Sequence, residues 1–139
     1  MSTLQHQGAC LCGAITFDVT LGEPEIHVCH CTICRKWAGA PALAIRCESG
    51  WEIKGEENLT WYASSERAQR GFCNTCGTHL FFKTNDGCYH GITAILDNID
   101  DLVIGEHIFV DTKPKLYDFT DKAPRLTEHD FLKKIGVVE

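Results

Sequence analysis

Polar and apolar residues alternate along most of this chain with a period near two. Ala14 to Thr20 sets every second residue apolar, the pattern of a strand with one buried face. Gly22-Glu23-Pro24 ends that run, and Ile26 to Val28 follows as a short extended piece. Ala42 to Cys47, Trp51 to Lys54, Leu59 to Tyr62, Arg67 to Phe72 and Thr78 to Lys83 read as further strands. Asn85-Asp86-Gly87 is a hairpin turn joining the last of these to Cys88 through Ala94, and Glu106 to Val110 is one more short strand. Helical periodicity is confined to two places. Thr32 to Gly39 predicts one turn or two, with Thr32 as N-cap and Gly39 as the stop. Thr127 with Asp130 resembles a capping box for a helix through Ile135, ended by Gly136. Two prolines mark 111–124 as irregular. The expectation is a single, mainly β domain over residues 1–139, built from short antiparallel strands with little helix.

Composition narrows the class. A 44% apolar content over 139 residues supports one modest core. The formal net charge of −6 argues against nonspecific binding to nucleic acid or an anionic membrane. No apolar run approaches the length of a membrane span. The nine cysteines change the picture most, because seven of them fall in three tight clusters: Cys10 and Cys12; Cys29, Cys31 and Cys34; Cys73 and Cys76. A disulfide framework requires an oxidising compartment. Met1 to Gly8 carries neither a basic nor an apolar leader region, and an odd cysteine count pairs poorly. A reduced, cytoplasmic metal-binding protein is the better expectation, with zinc the usual occupant of sulfur-rich sites.

The spacing predicts two different centres. Cys73-Asn74-Thr75-Cys76-Gly77 is a tight turn whose sulfurs face one cation, and its glycine accommodates the positive φ such turns adopt. Cys10 and Cys12, two apart and followed by Gly13, face the same way on an extended chain. Joined, the pairs make a tetrathiolate site whose full coordination fits a structural role. Cys29, Cys31 and Cys34 wrap three faces of a second cation. Its fourth position is taken either by a protein group, among them His30, His79, His90, His107 or a spare cysteine, or by water or substrate. His30, lying between two of the ligands, points away from them in an extended segment, and so either supports the ligands from behind or lies at the surface.

The order Gly8-x-Cys10-x-Cys12-Gly13, then Cys29-His30-Cys31-x-x-Cys34-Arg35-Lys36, then Phe72-Cys73-x-x-Cys76-Gly77 resembles the glutathione-dependent formaldehyde-activating enzymes, the S-(hydroxymethyl)glutathione synthase and centromere protein V family. The resemblance runs from about residue 8 to 121 and takes in His107 to Val110 and Lys113 to Asp118. It implies several coiled β-sheets around the metal, and two zincs per chain. Cys10, Cys12, Cys73 and Cys76 hold the structural zinc, while Cys29, Cys31 and Cys34 hold a catalytic, exchangeable one. It also implies a carbon–sulfur lyase whose partners are a small-molecule thiol, such as glutathione, and an aldehyde, such as formaldehyde. The chain departs from the pattern at Tyr117, where a tryptophan is expected, and is shorter than the glutathione–formaldehyde enzymes. The rival expectation is a noncatalytic, zinc-stabilised module that binds a protein partner.

Around the clusters, Arg35, Lys36, Arg67 and Arg70 read either as carboxylate clamps for an anionic thiol or as solvated surface charge. Trp37, Trp51 and Trp61 read as pocket wall or core. Cys47 and Cys88 read as small buried hydrophobes.

Overall fold

A computed structural model describes residues 4–93 and 95–139, apart from the side chain of Ser49. In chain order the elements are β1 (Gln5–Ala9), β2 (Thr16–Leu21), β3 (Glu25–Cys29), α1 (Thr32–Ala38), β4 (Ala42–Lys54), β5 (Leu59–Ala63), β6 (Ala68–Cys73), β7 (His79–Thr84), β8 (His90–Thr93), β9 (Val103–Ile108) and α2 (Glu128–Lys134). Short 3-10 turns span Glu56–Asn58 and Val110–Thr112. The protein is mainly β. Ala94, the last residue of the strand expected after Cys88, lies outside the described residues. The chain divides into two compact units. One comprises the residues up to Pro24 with Ala44–Leu102, the other Glu25–Leu43 with Val103–Glu139.

In the first unit the strands run β1-β2-β4-β8-β7-β6-β5, each antiparallel to its neighbours. The alternation that predicts β2 is realised: Phe17, Val19 and Leu21 are buried, while Thr16 and Asp18 are exposed. Phe17 meets Phe81 of β7 edge-on at 5.2 Å, and Trp51 stacks on Phe81 at 4.6 Å. Ile15, Ile45, Leu80 and Ile92 complete this core, each fully buried. Burial of side chains this size stabilises the fold by about 1.5–3 kcal/mol apiece. Trp51 also stacks with Trp61 at 6.0 Å, and it lines a surface cleft with Val19 and Glu52, so it serves both as packing and as wall.

One difference from the sequence pattern concerns β4. Glu48-Ser49-Gly50 reads as a break between two strands, yet β4 is continuous. Its register against β2 jumps from Val19↔Trp51 to Leu21↔Cys47, so the single residue Thr20 on β2 stands against three on β4. The extra residues form a bulge with Gly50 at φ 90°.

The second unit pairs β3 with β9 in parallel, from Glu25↔Val103 to Cys29↔Ile108. The antiparallel expectation therefore holds for the first unit and needs correcting here. Parallel neighbours cannot be joined by a tight hairpin, and a long stretch of chain separates Cys29 from Val103. β9 stops at Ile108 because Phe109 turns into the left-handed region at φ 58° and begins the 3-10 turn. The buried Glu106 carboxylate meets His27 at 3.2 Å and the Lys134 ammonium, tying α2 to β9. α2 starts as its capping box predicts, with Thr127 Oγ1 accepting from the Asp130 N–H at 3.1 Å. Among the described residues no helix is long and apolar enough to cross a membrane.

Candidate metal centres

The Cys10, Cys12, Cys73 and Cys76 sulfurs of the first unit all lie within 4.8 Å of one another. Cys10 Sγ is 3.6 Å from Cys12 Sγ, which is 3.8 Å from Cys73 Sγ. A tetrahedral zinc with bonds of about 2.3 Å spaces its sulfurs about 3.8 Å apart. The four side chains therefore fit that ion, and the separations are far too long for disulfides. All nine cysteines are free.

Two turns present these sulfurs. Gly13 at φ 81° and Gly77 at φ 79° close them in the left-handed region, where a side chain would be strained. Their N–H groups donate to the Cys10 and Cys73 carbonyls at 3.0 and 2.8 Å. Backbone N–H groups also point at sulfur: Ile15 to Cys10 at 3.3 Å, Thr75 and Cys76 to Cys73 at 3.4 and 3.5 Å. The Cys76 N–H, then Thr75's, hold the Cys73 thiol below its ordinary value. Thr78, to which no motif in the sequence points, links the turns. Its hydroxyl accepts from the Leu11 N–H at 3.0 Å and sits 3.1 Å from Cys76 Sγ. That hydroxyl, ahead of nearby backbone N–H groups, pulls the Cys76 thiol down to about 5. Cys12 moves the other way, to about 12. The Ala14 N–H lowers it, but desolvation and proton sharing with the neighbouring sulfurs outweigh that.

The second unit brings Cys29, Cys31 and Cys34 within the same 4.8 Å. Cys29 ends β3 and Cys34 sits in the first turn of α1. Cys31, rather than Thr32, is the N-cap of α1, its sulfur accepting from the Cys34 N–H at 3.2 Å. Gly39 caps the other end, as predicted. The thiols of Cys29 and then Cys34 donate toward Cys31 and hold its sulfur well below the usual thiol range; the same sharing drives Cys29 upward. Three soft donors from one short segment suit zinc as the first cluster does. No other Cys, His, Asp or Glu among the described residues joins this group.

The histidines considered as fourth ligands are otherwise engaged. His30 is fully buried rather than at the surface. Its Nδ1 lies 2.9 Å from the Tyr117 hydroxyl and its Nε2 2.9 Å from His107 Nδ1. His107 Nε2 meets both Asp121 oxygens at 2.9 and 3.0 Å. Phe119 packs edge-on against both imidazoles at 5.8 and 5.0 Å. Burial first, then the facing His107, lowers the His30 imidazole to about 4. Burial raises the Asp121 carboxyl, but N–H groups of His107 and Ala123 prevail and hold it below its ordinary value. The His30 backbone is fixed as well: its N–H donates to the Ile108 carbonyl at 3.0 Å, and its carbonyl accepts from Arg35 Nε at 3.0 Å. Arg35 Nη2 reaches the Thr112 carbonyl at 3.1 Å, so this guanidinium braces the backbone. In the first unit, His90 packs edge-on against Trp51, and burial lowers the His79 imidazole.

Other expectations need correction. Arg70 is buried rather than solvated, bonded to Ser64 Oγ at 3.0 Å and stacked over Phe82. Cys47 is buried in β4 as expected, and desolvation pushes its thiol up to about 12. Cys88 is exposed, because it lies in the turn before β8 with its N–H on Asp86 Oδ1 at 2.9 Å.

A mainly β fold carrying a four-sulfur and a three-sulfur cluster defines a class of cysteine-rich proteins suited to zinc. The chain belongs to the family of glutathione-dependent formaldehyde-activating enzymes, whose family model matches residues 5–112. It is similar to an uncharacterized lyase of Schizosaccharomyces pombe, 35% identical over 133 residues, covering 94% of this chain and 97% of that one. It also resembles a putative glutathione-dependent formaldehyde-activating enzyme of Halomonas elongata, 31% identical over 84 residues and 54% of each chain. A crystal structure of a Rhodobacter sphaeroides protein superimposes with a TM-score of 0.54 at 26% identity, covering 86% of this chain and 98% of that one.

Proposed function

We propose that this protein is a zinc-dependent carbon–sulfur lyase that forms or breaks the adduct of a small thiol and an aldehyde, with glutathione and formaldehyde the leading pair. One observation carries the reading: in addition to a four-sulfur cluster in one unit, the chain gathers a set of only three sulfurs in the other. Four sulfurs saturate a tetrahedral ion, whereas three leave room for a reactant. Zinc there supplies Lewis acidity and favours the thiolate form of a substrate sulfur.

The reaction needs little else. A thiol sulfur bonds to the carbonyl carbon, the C=O π pair moves onto oxygen, and the proton lost from sulfur ends on that oxygen. Breakdown reverses each change. The chain's own contribution is placement, which can itself supply a large part of a bimolecular barrier. Cys31 and Cys34 are held by the first turn of α1, and the loop between Cys29 and Cys31 is clamped through His30 by Arg35 and Ile108. A cleft of about 460 Å³ lined by Arg35, Pro41, Tyr117 and Phe119 offers room for a small thiol in the same unit.

Metal counting and turnover on protein purified without chelator test this. Two zincs per chain are expected. Cys31→Ser should lose one zinc and all adduct turnover while keeping the fold, and Cys76→Ser should lose the other zinc and unfold. A single zinc in wild-type protein, with no acceleration of glutathione–formaldehyde exchange, would leave the noncatalytic module as the answer.

A further inference from the structure

The peptide backbone between Cys29 and Cys31 is gripped on both sides. Cys29 ends β3 and Cys31 caps α1, so the single residue between them, His30, governs how two of the three sulfurs stand to each other. Its N–H donates to the Ile108 carbonyl at 3.0 Å. Its carbonyl oxygen accepts twice, from Arg35 Nε at 3.0 Å and from the Thr112 hydroxyl at 3.0 Å. A peptide oxygen has two lone pairs, so this one is fully engaged. Arg35 Nη2 also donates to the Thr112 carbonyl at 3.1 Å, which closes a ring of three hydrogen bonds on the His30 oxygen.

Each donor is placed by a local feature. Arg35 directly follows the candidate ligand Cys34, and its N–H donates to the Cys31 carbonyl at 3.0 Å as α1 begins. Its planar fork lets two N–H groups reach two carbonyls at once, which a lysine ammonium cannot reproduce. Thr112 arrives through the turn after β9. Phe109, at φ 58°, is the one non-glycine residue in the left-handed region among the described residues, and a bulky side chain is strained there. That turn brings the Thr112 hydroxyl to the His30 carbonyl and to the Phe109 carbonyl at 2.9 Å. Strain of this kind persists where surrounding contacts hold it, and it clusters at functional sites. The hydroxyl has one proton to share between two oxygens, so Arg35 carries the larger part of the grip.

We propose that Arg35 and Thr112 are positioning residues for the three-sulfur centre: their joint hold on the His30 carbonyl keeps that oxygen from taking the coordination position left for a reactant sulfur. The inference rests on the lyase reading above for the chemistry that follows capture of the thiol. Zinc accepts oxygen donors as well as sulfur, and the His30 oxygen belongs to the stretch of backbone between two of the candidate ligands. Engaged by two donors, it has no lone pair left for a cation. The fourth position then stays open to a thiol. Both residues act through the His30 backbone, without touching substrate.

Cobalt(II)-loaded protein tests the proposal, because a fourth Co–S bond adds thiolate-to-metal charge-transfer absorption as glutathione is titrated in. The four-sulfur cluster is saturated and should not respond, so the gain reports the three-sulfur centre alone. Wild type should show that gain. Thr112→Val should weaken glutathione uptake about threefold, the low end for a hydrogen bond because its proton is shared. Arg35→Lys should weaken it about tenfold, since charge-assisted bonds are stronger. Both variants should still fold and bind two metals per chain, and Thr112→Ser should restore wild-type uptake. In the zinc-loaded protein, kcat/KM for breakdown of the glutathione–formaldehyde adduct should fall by the same factors. If metal content falls while the loaded fraction takes glutathione as tightly as wild type, the two residues are structural props and the proposal fails. Unchanged uptake in both variants overturns it as well. If wild type shows no glutathione-dependent absorption, the centre has no open position, and the lyase reading falls together with this inference. If uptake behaves as expected but wild type does not accelerate breakdown, the lyase reading alone falls and the positioning of the thiol site stands.

Discussion

Replacing Thr78 by valine removes one oxygen and almost no volume, which isolates what its hydroxyl does. That hydroxyl touches both turns of the four-sulfur cluster, through the Leu11 N–H at 3.0 Å and Cys76 Sγ at 3.1 Å. Hydrogen-bond partners of metal ligands contribute about 10–100-fold to metal affinity. Cys76 is only half-buried and the Leu11 contact is solvent-exposed, so water replaces part of what is lost. The expected loss is therefore near the lower end, about tenfold. The sign with pH follows from the same contact. The hydroxyl depresses the Cys76 thiol to about 5, so its contribution is complete above the ordinary thiol range and fades as pH falls through about 5. In Thr78→Val protons compete better for the sulfur, and zinc should be released at a higher pH than in wild type. Competition against a chromophoric chelator, with acid titration of the zinc-loaded protein, measures both quantities. Thr78→Ser, which keeps the hydroxyl, should stay near wild type. Equal affinity and equal release pH for valine and threonine would show that the two turns are joined by something other than this side chain.

Two further outcomes are expected. In zinc-loaded protein a small maleimide should label Cys88 first and leave Cys47 untouched, because one is exposed and the other buried with its thiol pushed up to about 12; Cys88→Ser should abolish the fast phase seen by mass spectrometry. Thr127→Ala should cost about 1 kcal/mol in denaturant unfolding by leaving the Asp130 N–H without its cap, and Thr127→Ser should restore most of it.

What can be read from the chain depends on how far apart in sequence the cooperating residues lie. Cys73 and Cys76, or Cys29, Cys31 and Cys34, declare themselves because each set falls within six residues and the chemistry of sulfur is unambiguous. The alternation in β2 and the capping box at Thr127 are equally local, and both form as read. Glu48 to Gly50 misleads because a bulge and a turn use the same residue types, and only the register with β2 separates them. Thr32 looks like the N-cap because a hydroxyl is the commoner cap; the backbone instead turns one residue earlier, where the sulfur of Cys31 accepts. The chain from Asp121 to Tyr117 is illegible for a different reason. His107 appears as one candidate ligand among several, and nothing near His30 in sequence signals a partner 77 or 87 residues away. The parallel pairing of β3 with β9 creates that neighbourhood, and parallel pairing leaves no hairpin signature.

That pairing also orders events during synthesis. The second unit is assembled from 25–43 and from the segment after Leu102, with most of the first unit encoded between them. A ribosome therefore emits the three-cysteine loop well before His107, Tyr117 and Asp121. Until then the loop lacks its β9 partner, and a chain cut short before β9 would carry the sulfurs without the His30–His107 contact behind them.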